Sequence, residues 1–171
     1  CRRRMGPYEL QKKVMAMATE QIGQRMDLHA VAPKAYEAMI ALEKYVHSGS
    51  LGEAIIGLVK MRASQLNGCA YCLDMHSKDA RAGGETEQRL HVLPAWREAP
   101  FYTDRERAAL EWTEAVTLVS ENDVDDELYT HVRAQFDEKE LVDLTLAITA
   151  INSWNRLAIS FRTEVGNYQP G

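Results

Sequence analysis

Cysteine is scarce in this chain: there are three, with Cys69 and Cys72 close together and Cys1 alone at the start. So few thiols cannot staple a small secreted fold, and a disulfide framework is excluded. Aromatic residues are also few, at 8%, and no apolar run reaches the roughly eighteen residues that a membrane-crossing helix needs. The opening Cys1-Arg2-Arg3-Arg4-Met5-Gly6-Pro7 leads into polar residues where a signal peptide would carry an apolar stretch. A cytoplasmic protein is the expectation. Basic excess is missing too: 20 Lys and Arg face 25 Asp and Glu, for a net charge of -5. A phosphate-tracking stripe needs the opposite balance, so neither nucleic acid nor a membrane is an expected partner. Hairpin signals, alternating strand patterns, internal repeats and low-complexity tracts do not occur either.

What remains is a chain of 171 residues with 46% hydrophobic content, enough for one core. Residues 1–16 lack a clear apolar face and are expected to be a vector-derived or disordered leader, with one domain over 17–171. Tyr36, Met39, Ile40, Leu42 and Val46 recur at helical spacing behind Pro33, and Ser48-Gly49 supplies a stop. A second helix runs from Leu51 to Leu66, with Ile55, Val59, Arg62 and Leu66 on one line and Asn67-Gly68 as its break. A third spans about Cys69 to Ala82 before Gly83-Gly84, and a short piece covers Thr86 to Val92. Thr103-Asp104-Arg105-Glu106 reads as a capping box that launches a helix through Trp112 and Val119. Asp125-Asp126 opens a short helix to about Gln135, and Leu141, Leu144, Ile148 and Ile151 mark a long last one from about Glu138 to Ser160. The expected fold is all-α with six or seven helices. Trp112, Phe136, Trp154 and Phe161 are expected to serve packing in the C-terminal half.

The chemistry concentrates in Cys69-Ala70-Tyr71-Cys72-Leu73-Asp74-Met75-His76. At about 100° per residue, Cys72 lies about 60° from Cys69 around a helix and His76 falls between them. All three share a face. A thiol at a helix start meets the macrodipole and unpaired backbone N–H groups, which favour the thiolate. A structural bridge is a weak reason for the pair, because closing so short a loop is worth about 2 kcal/mol against about 4.7 for a loop of 100 residues. Zinc would need a fourth ligand beyond Cys69, Cys72 and His76, with His91 or Asp79 nearby, although structural zinc sites usually draw their second pair from a separate segment. The leading expectation is a redox-active dithiol with no metal and no cofactor.

Arg62-Ala63-Ser64-Gln65-Leu66-Asn67-Gly68-Cys69-Ala70-Tyr71-Cys72 with His76 resembles the core of AhpD-like alkylhydroperoxidases, within the carboxymuconolactone decarboxylase superfamily. The resemblance continues through Lys78-Asp79-Ala80-Arg81, Glu87-Gln88-Arg89-Leu90, Trp96-Arg97, Glu106-Arg107-Ala108-Ala109-Leu110 and Ile151-Asn152-Ser153-Trp154-Asn155-Arg156, covering about residues 27–162. It implies an all-helical homo-oligomer, commonly a trimer or hexamer, that reduces hydroperoxides. It also implies that Cys72 attacks, Cys69 resolves the sulfenic acid to a disulfide, His76 relays the proton, and an external dithiol carrier reopens the bridge. The family's relay glutamate, twelve residues before the first cysteine, is replaced by Gly57. Glu53, one turn earlier on that face, is a candidate substitute, while its plain role is a solvated first-turn carboxylate.

The other candidates read blandly. His29, His47, His91 and His131 are scattered and suit surface or cap positions. Asp74, Lys78, Asp79 and Arg81 suit a solvated helix face, and Arg81 could favour a thiolate only by folding back. Trp154-Asn155-Arg156 fits either a subunit contact or a core tryptophan beside polar residues. Two other functions stay open: a non-catalytic redox sensor or assembly protein switched by the same dithiol, and a decarboxylase-type enzyme, which would not need two thiols.

Overall fold

The computed structural model describes Gly6 and residues 23–171, so the expected leader lies, apart from Gly6, outside the described residues. All regular structure among those residues is helical, in eight α-helices and one 3-10 turn. They are α1 (Leu28–Val31), α2 (Pro33–His47), α3 (Glu53–Asn67), α4 (Ala70–Ala82), α5 (Glu87–Val92), the 3-10 turn Leu93–Ala95, α6 (Asp104–Thr117), α7 (Asp126–Arg133) and α8 (Glu138–Phe161). The eighth helix beyond the expected seven is α1. It is a single turn whose Asp27 cap accepts from the N–H groups of His29 and Ala30, too short to show a period.

Local start signals behave as their chemistry requires. Thr103 and Glu106 form the capping box of α6, and Asp125 caps α7 through Leu128 N–H. A second box, Asp137 with Glu140, starts α8.

Helix α3 is the axis of the fold and packs against α4, α6 and α8. Ile55 and Val59, on the expected apolar line, are buried, but so are Leu58, Met61, Lys60 and Ser64 around the rest of the helix. A helix surrounded by neighbours has no solvent face, so the single-stripe expectation was too narrow. The main core joins Val59 and Ile56 to Ala108 and Trp112 of α6, Val132 and Phe136, and Leu144 and Ile148 of α8. Trp112 and Phe136 serve packing as expected. Trp154, half buried, packs against the cluster of Ala63, Cys69, Cys72, Ile151 and Ala158 and also lines a cavity, which half-buried Phe161 lines too. Arg62, Trp96 and Arg97 serve as scaffold: Glu114 of α6 accepts from Arg62 of α3, from the Trp96 indole, both at 2.8 Å, and from Arg97. Among the described residues, no helix is long and apolar enough to cross a membrane.

The α3–α4 junction sets the site. Cys69 N–H donates to Ser64 O at 3.0 Å and Gly68 N–H to Gln65 O at 3.3 Å, the paired bonds of a Schellman turn. Gly68 takes the left-handed conformation that this turn requires, at φ 68°. Gly57, by contrast, sits inside α3 with nothing within 4 Å of an added Cβ. Gly68→Ala is therefore expected to cost about 1–2 kcal/mol and Gly57→Ala to add up to about 1 kcal/mol. Urea unfolding midpoints that move in opposite directions would bear this out, and a shift in the same direction for both would contradict it.

Candidate functional site

The Schellman turn leaves Cys69 as the N-cap of α4, with its sulfur accepting from the Cys72 backbone N–H at 3.4 Å. Cys72 follows in the first turn, and the two sulfurs stand in hydrogen-bond contact at 2.6 Å. Both are free cysteines and both are 1% exposed. The hydrogen bond from Cys72 is the main influence lowering the Cys69 thiol to about 7, against the opposing effect of burial, with help from the Cys72 and Tyr71 backbone and the Asn155 side chain. Cys72 is pushed up, because it holds the proton that it donates to Cys69 and because it too is buried. The pair thus gives up one proton near neutral pH and resists losing the second.

The two sulfurs differ in access. Cys72 lines a cavity of about 500 Å³, while Cys69 lies behind it against Ala63, Ile151 and Ala158. The pair shares one ionisation, with Cys69 lowered and Cys72 raised, and the contact with a ligand belongs to Cys72. His76, one turn after Cys72, lines the same cavity. Burial, then the nearby Lys60 and His47, lower its pKa to about 3. At neutral pH it is an uncharged imidazole, able to accept a proton briefly but not to store one.

Sequence reasoning missed Asn155 as a site residue, placing it only at a helix face or subunit contact. It is fully buried, donates to Ser64 Oγ at 3.1 Å and accepts from Asn67 at 2.8 Å. This network ties α8 to the end of α3 and aims an amide at both thiols. The signal was present in the pattern, since Ile148, Ile151 and Asn155 fall on one buried stripe of α8.

Lys60, Glu43 and His47 were also missed. Lys60, 4% exposed, pairs with Glu43 and donates to His47 Nε2 at 2.9 Å. Because that nitrogen accepts, His47 donates from Nδ1 to Glu53, at 2.8 Å. His47 is thus part of the site's surroundings, not a scattered surface residue. Glu53 stands at the outer end of this chain, with a side chain 72% exposed. A second cavity of about 510 Å³ opens beside Gly57 and shares His47, Lys60, His76 and Asp79 with the first.

The remaining candidates separate cleanly. Arg81 pairs with Glu87 at 2.9 Å, both well exposed, and does not fold back to the thiols. His91 is exposed, His131 faces Glu111 at 3.7 Å, and His29 stacks edge-on with Tyr36. Among the described residues, no group of three or more His, Cys, Asp and Glu side chains is placed to hold a metal ion. Asp74, Lys78 and Asp79 are more than a solvated face, because they hold the C-terminal segment.

The carboxymuconolactone decarboxylase family model matches residues 33–115. The uncharacterized protein YdfG of Bacillus subtilis (strain 168) is 48% identical over 139 residues, 81% of this chain and 95% of that protein. ATU0492 from Agrobacterium tumefaciens, a protein of unknown function provisionally named an AhpD antioxidant defence protein, superposes with a TM-score of 0.82 at 43% identity. The match covers 85% of this chain and 100% of that one. The debrominase Bmp8 has a TM-score of 0.71 at 19% identity, over 80% of this chain and 73% of that one, and shares the fold.

The thiol arrangement has a direct pH signature. In a Cys1→Ser background, thiolate absorbance in the ultraviolet should rise by one group as pH passes about 7, and Asn155→Ala should move that midpoint upward because one donor to the anion is lost. An unmoved midpoint, or two thiols ionising together, would contradict this electrostatic account.

Proposed function

The chain belongs to the carboxymuconolactone decarboxylase family and has an AhpD-like fold, and from that premise we propose that it is a thiol-dependent peroxidase of organic hydroperoxides, working through a Cys69/Cys72 dithiol–disulfide cycle. One observation carries the reading: a thiol lowered to about 7 sits in hydrogen-bond contact with a second thiol that faces an apolar-walled cavity beside a neutral histidine. The fold alone does not choose the reaction, since one scaffold supports several chemistries.

Moving the Cys72 proton along its hydrogen bond to Cys69 leaves the thiolate on Cys72, where a ligand can reach it. That sulfur attacks the terminal oxygen of the hydroperoxide; the O–O bond breaks, Cys72 becomes a sulfenic acid and an alkoxide leaves. The alkoxide takes its proton from Cys69 by way of His76, whose low basicity makes it release what it receives. Cys69, again a thiolate, attacks the Cys72 sulfur and expels hydroxide, which is protonated by solvent. An external dithiol then reduces the disulfide, so hydroperoxide and dithiol give alcohol, water and the carrier's disulfide.

Tyr36, Ile40, Tyr71, Trp154 and Leu157 supply the cavity's apolar wall, which suits a hydroperoxide with a hydrocarbon or aromatic body. The partners in this reading are that substrate, the dithiol carrier and further copies of the chain as a trimer or hexamer.

Steady consumption of an organic hydroperoxide with a small dithiol is the expected activity. Cys72→Ser should abolish it, and Cys69→Ser should oxidise once and stop. Continued turnover in Cys72→Ser would overturn the assignment. Stoichiometric oxidation of the unaltered protein without turnover would favour a redox switch.

A further inference from the structure

After α8 the chain turns back across α4 and is gripped at both sides of its backbone. Lys78 Nζ donates to the carbonyl oxygens of Gly166 at 3.4 Å and Tyr168 at 3.0 Å. Asp74, ion-paired with Lys78 at 2.9 Å, accepts from Gly166 N–H at 3.2 Å. Gly166 has a φ of 103°, a conformation that favours glycine, and this bend sets the direction of the segment.

The result is that Tyr168 delivers its hydroxyl to Asp79 Oδ1 at 2.6 Å, across 89 residues of sequence. The other oxygen, Asp79 Oδ2, faces His76 Nδ1 at 3.7 Å. Three side chains therefore stand in line, Tyr168 to Asp79 to His76. The contact with Asp79 raises the Tyr168 hydroxyl to about 12, so the phenol stays a donor at neutral pH.

At 3.7 Å the Asp79–His76 contact is Coulombic, too long for a hydrogen bond. It strengthens when the imidazole gains a proton, and catalytic hydrogen bonds often tighten only with substrate present. The other groups facing His76 oppose that proton: Lys60 of α3, paired with Glu43, and His47 of α2, paired with Glu53. Cys72, on its own helix, lines the same cavity, as does Tyr71. Among the described residues, Asp79 is the carboxylate within ion-pair distance of His76.

We propose that Asp79, held in place by Tyr168 of the C-terminal segment, is the positioning carboxylate of His76 and takes the part of the relay glutamate that Gly57 lacks. Asp79 holds the ring proton on Nδ1, leaves Nε2 free as the base, and stabilises the imidazolium formed in passing. Tyr168 keeps the carboxylate from turning to solvent, to which Asp79 is partly open. The role in turnover rests on the peroxidase reading; the effect on the His76 ring does not.

The test uses the reduced full chain with two independent readouts. Nitrogen NMR of His76 near neutral pH should show the proton on Nδ1, and Asp79→Ala should redistribute it between the two nitrogens. With cumene hydroperoxide and dithiothreitol, Asp79→Ala should lower kcat about tenfold without changing KM for the peroxide, and Asp79→Glu should recover part of the loss. Tyr168→Phe, which removes only a hydroxyl, should move kcat in the same direction by about threefold. An unchanged His76 tautomer in Asp79→Ala would overturn the proposal, as would an unchanged kcat. A shifted tautomer in a protein with no peroxidase turnover would remove the peroxidase reading and leave the Asp79 assignment standing.

Discussion

One negative charge has to be held between three helices with almost no water at either sulfur. Burial alone would keep both thiols protonated, so the charge exists only because α4 begins at Cys69, with a second thiol, a backbone N–H and the Asn155 amide all turned toward that sulfur. The rest of the site serves this arrangement. The left-handed Gly68 places Cys69 at the helix start. The Asn67–Asn155–Ser64 bonds lock the end of α3 to α8, so the amide keeps its aim. Loss of either element would leave a buried dithiol with no reason to ionise near neutral pH.

The same burial decides what the histidine can do. A charged His76 beside Lys60 and His47 would add a cation to a poorly solvated region, so the ring is neutral and acts as a conduit. Lys60 itself is tolerable because Glu43 and His47 satisfy it. Lys60 and His47 on the α2–α3 side are already paired with Glu43 and Glu53, whereas on the side of α4 and the C-terminal segment the Asp79 carboxylate faces His76 itself. The substitution of Gly57 for a glutamate removes a carboxylate from the first side, and the geometry supplies one from the other.

How much of this was legible in the sequence depended on separation along the chain. The common cavity of Cys72 and His76 follows from their spacing of one helical turn, and the α6 capping box from a hydroxyl and a carboxylate three residues apart, so both could be read directly, whereas Cys69 stands just before the helix as its cap. Lys60 could not, because a lysine in an amphipathic pattern reads as solvated and its burial depends on neighbours packing all round α3. The same holds for Asn155, which meets Ser64 across 91 residues, and for Asp79, whose partner is 89 residues away. The one-turn helix α1 was invisible for a different reason, being shorter than the period that would reveal it. The resemblance pointed to Cys72 as attacker; the opposed shifts of the two thiols, Cys69 lowered and Cys72 raised, are legible only in three dimensions.

The central claim is that a thiol pair sharing one ionisation near neutral pH is oxidised on Cys72, the sulfur that faces the cavity. It is tested most directly by treating the reduced protein with a single equivalent of organic hydroperoxide in the presence of a sulfenic acid trap and locating the adduct by mass spectrometry. The account predicts the adduct on Cys72, accumulating when Cys69 is replaced by serine. An adduct on Cys69 in the otherwise unaltered chain would contradict it.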